Sequence, residues 1–157
     1  MVADLRPPAR ISSQGETVAR LVDGYDSLLL DLDGVVYLGA QAIEHAVESI
    51  NSAQAQGFKI GYVTNNASRK PETIAKQLSA FGLHVQPDEV VGSARAAVKM
   101  LAERIPAGSK VLVVGGEGLT SEVEAVGFEL VASAADKPVA VIQGFSPDVG
   151  WKHLAEG

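Results

Sequence analysis

The 157-residue chain contains no cysteine. Disulfide frameworks, thiolate nucleophiles and cysteine–zinc sites are thereby excluded. Histidine is nearly as scarce: His45, His84 and His153 lie far apart, and no two share a metal-ligand spacing. Cations are in deficit, with 13 Lys+Arg against 19 Asp+Glu and a net charge of −6. Proteins that grip a nucleic-acid backbone need clustered Lys and Arg, so a nucleic-acid partner is not expected. No apolar run approaches the roughly 20 residues that cross a bilayer. The first twenty residues mix Asp4, Arg6, Pro7, Pro8 and Arg10 without an apolar stretch, so neither a membrane partner nor a secretory signal is expected. What is present is 46% hydrophobic residues, enough for one buried core. The expectation is a cytoplasmic α/β domain whose chemistry rests on carboxylates, hydroxyls, amides and backbone.

Periodicity organises the chain. Residues 1–14 are rich in Pro, Arg and Ser and show no period, and 1–20 as a whole reads as a flexible arm, with a short helix over 15–22. Ser27–Leu32 is an almost unbroken apolar run ending in acids, as in a strand buried on both faces. Ile43, Ala46, Val47, Ile50 and Ala53 follow helical spacing and predict a helix over 42–56, closed by Gly57. A strand over 58–63, a helix over 71–81 opened by Pro71, a strand at 90–91 and a helix over 94–104 follow. Pro106-Ala107-Gly108 marks a boundary, dividing a first part (21–106) from a second (107–157). The second part predicts strands over 110–114, 128–131 and 139–143, and helices over 119–126 and 149–155. Strands alternating with helices imply parallel βαβ units.

Two motifs carry chemistry. Asp31-Leu32-Asp33-Gly34 leaves the first strand at its carboxyl end, where open α/β sheets bind ligands. Acids at i and i+2 there enter one pocket, one able to attack and the other to move a proton. Their mutual repulsion calls for a cation, and oxygen ligands suit Mg²⁺. Gly34 allows close backbone approach and offers an amide to an anion. The bland alternative is a solvated turn. Val63-Thr64-Asn65-Asn66-Ala67-Ser68-Arg69-Lys70-Pro71 leaves the next strand, with a hydroxyl, amides and a cation suited to phosphate oxygens. An Asn/Ser turn before a helix explains the same residues without a ligand.

Together, Asp31-Leu32-Asp33-Gly34-Val35-Val36-Tyr37 and Val63-Thr64-Asn65-Asn66-Ala67-Ser68-Arg69 closely resemble the haloacid dehalogenase superfamily. The resemblance is narrower with its branch of NagD-like, 4-nitrophenylphosphatase and phosphoglycolate or glycerol-3-phosphate phosphatases. Pro87–Ala94 and Val111–Gly118 share it, so it covers roughly residues 25–157. It implies an incomplete Rossmann-like parallel core over 21–106 followed by the first half of an α/β cap over 107–157. It implies a Mg²⁺-dependent phosphatase that hydrolyses a small phosphorylated metabolite through an aspartyl-phosphate. Asp31 would be nucleophile and metal ligand. Asp33 would be acid, base and metal ligand. Gly34, Thr64, Asn65 and Asn66 would bind the phosphate. A homo-oligomer formed through the cap fits the same resemblance. Within the superfamily that the chain resembles, Asp33 implies an ester phosphatase, since dehalogenases lack this acid and transport ATPases carry Thr there.

The branch also carries Gly-Lys-Pro and a Gly-Asp motif, and neither occurs: none of the 16 glycines precedes Asp. Asp136-Lys137-Pro138 reads as a turn. The expectation is a truncated chain, weak or inactive alone. Its alternatives are a phosphate-binding half-protein that needs a C-terminal partner, and a phospho-receiver domain. Gly115-Gly116-Glu117-Gly118 lacks the third glycine of a dinucleotide loop, since position 121 is Ser121, and reads as a tight strand–helix turn. His45 and His84 read as solvated and loop residues, and Tyr37 and Leu38 as a flap over the site or as core. Trp151 and His153 read as cap packing or a partner contact.

Overall fold

The computed structural model describes residues 21–157 together with the backbone of 10–11 and 17–18. β1 (Arg10–Ile11) and β2 (Thr17–Val18) pair antiparallel. The helix expected over 15–22 is therefore absent where it is described. Thr17 and Val18 are β-branched and favour pleated backbone, and Leu21–Gly24 forms one 3₁₀ turn. The remainder of that span, and most of the arm over 1–20, lies outside the described residues.

The first sheet is parallel, in the order β3 (Ser27–Asp31), β6 (Lys59–Thr64), β7 (Val90–Gly92). Its crossovers are α1 (Ala46–Ala55) and α2 (Pro71–Ala80). Leu28, Leu30, Ile60, Tyr62 and Val90 meet Ile50, Ile74 and Leu78 of these helices in one core. Strand alternation sends Leu29, Val63 and Val91 to the opposite, open face. A second parallel sheet runs β10 (Ala140–Gln143), β8 (Lys110–Val114), β9 (Glu129–Val131). Val111, Leu119, Val123, Phe128 and Ile142 form its core with α4 (Glu117–Ala125). α3 (Ser93–Ala102) contributes Ala94 and Val98 to this second core, and Ala67 of the β6–α2 loop joins it. The last helix is α5 (Trp151–Glu156), with Trp151 itself 80% exposed and so unpacked among the described residues.

The chief departure from expectation falls between the first two strands. The helix expected from residue 42 begins at 46, because β4 (Tyr37–Leu38) and β5 (Gln41–Ala42) form a hairpin there. Gly39 turns it at φ +60, and the Ile43 amide donates to the Val36 carbonyl at 3.0 Å. His45, exposed at φ +63, breaks the backbone just before α1. Ile43 thus closes a flap instead of extending a helical stripe. Lys137, at φ +56, confirms Asp136–Pro138 as a turn.

Candidate active site

The two motifs leave neighbouring strands. Asp31 pairs in register with Val63, so Thr64 stands one step beyond the acid at the carboxyl edge. Alternation places Asp31 on the open face and Thr64 on the helix-covered face, and both flank the same edge. Asp31 is exposed, and its Oδ1 accepts the Leu32 amide at 2.9 Å. Asp33 is exposed in the turn that follows, bridged to Tyr37.

That turn is tightly wound. The amides of Val35, Val36 and Tyr37 all point to the Leu32 carbonyl, at 3.3, 2.9 and 3.2 Å. Gly34 sits at φ +81, a conformation that favours glycine, and its amide donates to the Tyr37 carbonyl at 2.8 Å. Gly34 is the residue whose amide is expected to meet a phosphate oxygen. Its N–H is engaged in closing the turn, and the residue serves the backbone path of the acids.

The second motif is a pair of side-chain-capped turns. Thr64 is 3% exposed, and its Oγ1 accepts the Asn66 amide at 3.1 Å. Asn66 Oδ1 accepts both the Ser68 amide at 2.9 Å and the Ser68 hydroxyl at 2.7 Å. The Asn65 side chain lies on an exposed residue, while its carbonyl accepts the Ser93 hydroxyl at 2.8 Å. The Asn66 side-chain oxygen holds the loop together. Asn66 is thus a loop-former first, as a turn reading of the sequence allows.

Sequence alone could not choose between Arg69 and Lys70 as the site cation. Lys70 pairs with Glu117 of α4, which pushes its pKa up, chiefly through that hydrogen bond. Arg69 instead bears on Tyr37. The Tyr37 hydroxyl pKa is raised first by burial, then by Asp33 and, more weakly, Asp31, while Arg69 opposes them. Tyr37 is 3% exposed and packs against Phe81 with ring centroids 6.2 Å apart. Both acids and Arg69 thus act on one buried phenol through their charge. The sequence reading of Tyr37 as flap or core captured each half of this placement but not the shared electrostatic environment.

Among the described residues no group of three or more His, Asp or Glu side chains gathers as a metal site. The donor set at the edge is two carboxylates with adjoining backbone carbonyls. Mg²⁺ is commonly held by one or two carboxylates, with water and substrate phosphate completing its shell, so these residues fit it. No helix of the described residues is long and apolar enough to cross a membrane.

Comparison with known proteins agrees with this geometry. Residues 28–129 match the family described as haloacid dehalogenase-like hydrolase. D-glycerol 3-phosphate phosphatase of Mycobacterium tuberculosis is 42% identical over 132 residues, which cover 84% of this chain and 36% of that protein. An acid sugar phosphatase of Staphylococcus saprophyticus is 40% identical over 131 residues, 83% of this chain and 49% of the relative. The crystal structure of the Mycobacterium tuberculosis glycerol phosphate phosphatase with magnesium superposes with a TM-score of 0.78, covering 83% of this chain and 39% of that one. The p-nitrophenyl phosphatase of Archaeoglobus fulgidus, 28% identical, gives 0.73 over 83% of this chain and 48% of its own. The chain thus spans between about a third and a half of the length of these relatives. With the acid pair and the Thr64 loop on adjacent parallel strands, the chain belongs to the haloacid dehalogenase-like hydrolase family.

Proposed function

We propose that this protein hydrolyses a small phosphate monoester through an aspartyl-phosphate, with the acid-pair edge as the site of attack. The observation that carries the reading is the register of β3 and β6, in which Asp31 and Thr64 emerge one step apart at the carboxyl edge. A phosphoryl group seated over that edge lies within reach of both. The Asp31 carboxylate attacks phosphorus in line, and the bond from phosphorus to the ester oxygen breaks. Asp33 gives its proton to the departing alcohol oxygen. Water then attacks the phosphorus of the aspartyl-phosphate and Asp33 takes its proton, so inorganic phosphate leaves and both acids are restored. The Thr64 hydroxyl and the Asn65 amide group donate to the equatorial oxygens, and Arg69 adds positive charge nearby.

Asp31 and Asp33 are the residues that would hold Mg²⁺. The ion, when bound, offsets the negative charge of carboxylates and phosphate. The relatives named for glycerol 3-phosphate and acid sugars make short polyol and sugar phosphates the first substrates to test. In this reading residues 21–106 belong to the catalytic core and 107–157 to a partial cap, and the protein works in the cytoplasm. Self-association through the second part is supported by the exposed Trp151 and Leu154.

The test is phosphate release from glycerol 3-phosphate and p-nitrophenyl phosphate with and without Mg²⁺. Asp31→Asn should abolish release, and a trapped acyl-phosphate should be absent from that variant alone. Undiminished turnover by Asp31→Asn would overturn the reading.

A further inference from the structure

The Gly-Gly-Glu-Gly turn at the start of α4 is seated on the back of the Thr64 loop. A Cβ at Gly118 would lie 2.7 Å from the Ala67 carbonyl oxygen and the Arg69 nitrogen, and 2.8 Å from the Arg69 carbonyl carbon. These are backbone atoms, so no rotamer change relieves the clash. Gly118 has ordinary helical φ, so its glycine is required by space and not by backbone conformation, although glycine disfavours helix. Its amide donates to the Ser68 carbonyl at 3.3 Å. Gly144, at the end of β10, approaches the same loop, where a Cβ would stand 3.1 Å from the Ala67 Cβ. The Lys70–Glu117 ion pair lies on the same seam.

Contacts run unbroken from this seam to the site. Gly118 touches Ser68 through its amide, Ser68 donates twice to Asn66, and the Asn66 amide donates to Thr64 Oγ1. We propose that Gly118 and Gly144 are positioning residues: their missing side chains let the second sheet press directly on residues 67–69 and set where Thr64 and Asn65 present their donors. The inference deepens the phosphatase reading and rests on it for its link to phosphate binding. Reacting groups tolerate little displacement, and a shift on the order of 1 Å costs roughly a hundredfold in rate. An added methyl at Gly118 must move the loop by several tenths of an ångström.

The experiment compares wild type with Gly118→Ala, Gly144→Ala and Gly150→Ala, the last a control whose Cβ would meet nothing within 4 Å. Amide hydrogen exchange is followed at Asn66 and Ser68, with Ile50 in α1 as reporter of global stability. Inorganic phosphate binding in Mg²⁺ is titrated on the same samples. Gly118→Ala should speed exchange at Asn66 and Ser68 about tenfold or more relative to Ile50. It should weaken phosphate binding by a similar factor, with Gly144→Ala shifted less in the same direction and Gly150→Ala unchanged. Equal acceleration at all three amides with unchanged phosphate affinity would show mere packing and overturn the proposal. Should Gly118→Ala fail to fold, Gly144→Ala decides by the same criteria. Phosphate binding that is lost in Thr64→Val but indifferent to both glycine variants would sink this inference and leave the phosphatase reading standing. Selective loop exchange in Gly118→Ala, with no phosphate bound even by wild type, would do the reverse.

Discussion

Thr64 Oγ1 accepts the amide of Asn66 at 3.1 Å, so the hydroxyl proposed to meet a phosphoryl group is also the acceptor that folds its own loop. The two roles separate by substitution. Thr64→Val leaves a partly buried N–H without a partner, at about 1–2 kcal/mol, whereas Thr64→Ser keeps the acceptor. Urea unfolding should show the Val variant destabilised by that amount and the Ser variant by less. Phosphate affinity should fall in Val and survive in Ser. Equal stability of Val and wild type would mean that water replaces the bond.

Gly34 isolates a conformational effect from a steric one. Its φ is +81, yet an added Cβ would meet nothing within 4 Å. Gly34→Ala should therefore cost about 1–2 kcal/mol, the penalty of placing a side chain in the left-handed region. Gly34→Asn should recover part of it, since Asn tolerates that region better. Thermal unfolding of the three proteins checks this ordering. An Asn variant no better than Ala would point to a contact at the turn instead.

The sequence was most readable where one local rule governs. The apolar runs of β3 and β6 predicted strands, and these end at Asp31 and Thr64. Burial on both faces did not follow, since Leu29 and Val63 lie exposed on the open face. It was least readable where two rules compete. Ile43 and Ala46 satisfy helical spacing, but the Gly39 turn and the left-handed His45 divert the chain into a hairpin before α1 begins. No local pattern announces that the Tyr37 carbonyl returns to accept the Gly34 amide. Gly115 and Gly116 form the tight turn expected between strand and helix, with Gly118 already in the first turn of α4. What they press upon, a loop some fifty residues earlier in the chain, is a tertiary fact with no local signal.

Arg95 on α3 and Glu122 on α4 tie two helices of the second core. Arg95 Nε donates toward both Glu122 oxygens at 3.2 and 3.3 Å, and the Glu122 side chain is only 14% exposed. Arg95→Ala strands a largely covered carboxylate and should cost about 1–2 kcal/mol at low salt. The double variant with Glu122→Ala should lose less than the sum of the single variants, with a coupling of about 0.5–1 kcal/mol that shrinks in high salt. A double-mutant cycle by denaturant unfolding reads this directly, and strict additivity would deny the pair a role.

Tyr62 offers a prediction in which pH supplies the sign. Its ring is fully buried in β6, and its hydroxyl has no hydrogen-bond partner among the described residues. Burial, with Glu89 adding to it, pushes the hydroxyl pKa up to about 12, from 10.0. Below pH 10 the phenol is neutral in both states, so ionisation does not affect stability. Between about pH 10 and 12 the unfolded chain loses this proton while the folded protein keeps it, so stability falls as pH rises. Tyr62→Phe removes both the unpartnered hydroxyl and this fall. At pH 7 the variant should be as stable as wild type or slightly more so, by up to about 1 kcal/mol. From pH 10 to 12 its advantage should widen by an amount on the order of 2 kcal/mol. Urea unfolding of both proteins at pH 7, 10 and 11.5 tests the trend. A gap that stays constant with pH would mean that the hydroxyl reaches solvent in the folded state, and one that narrows would reverse the assigned direction of its shift.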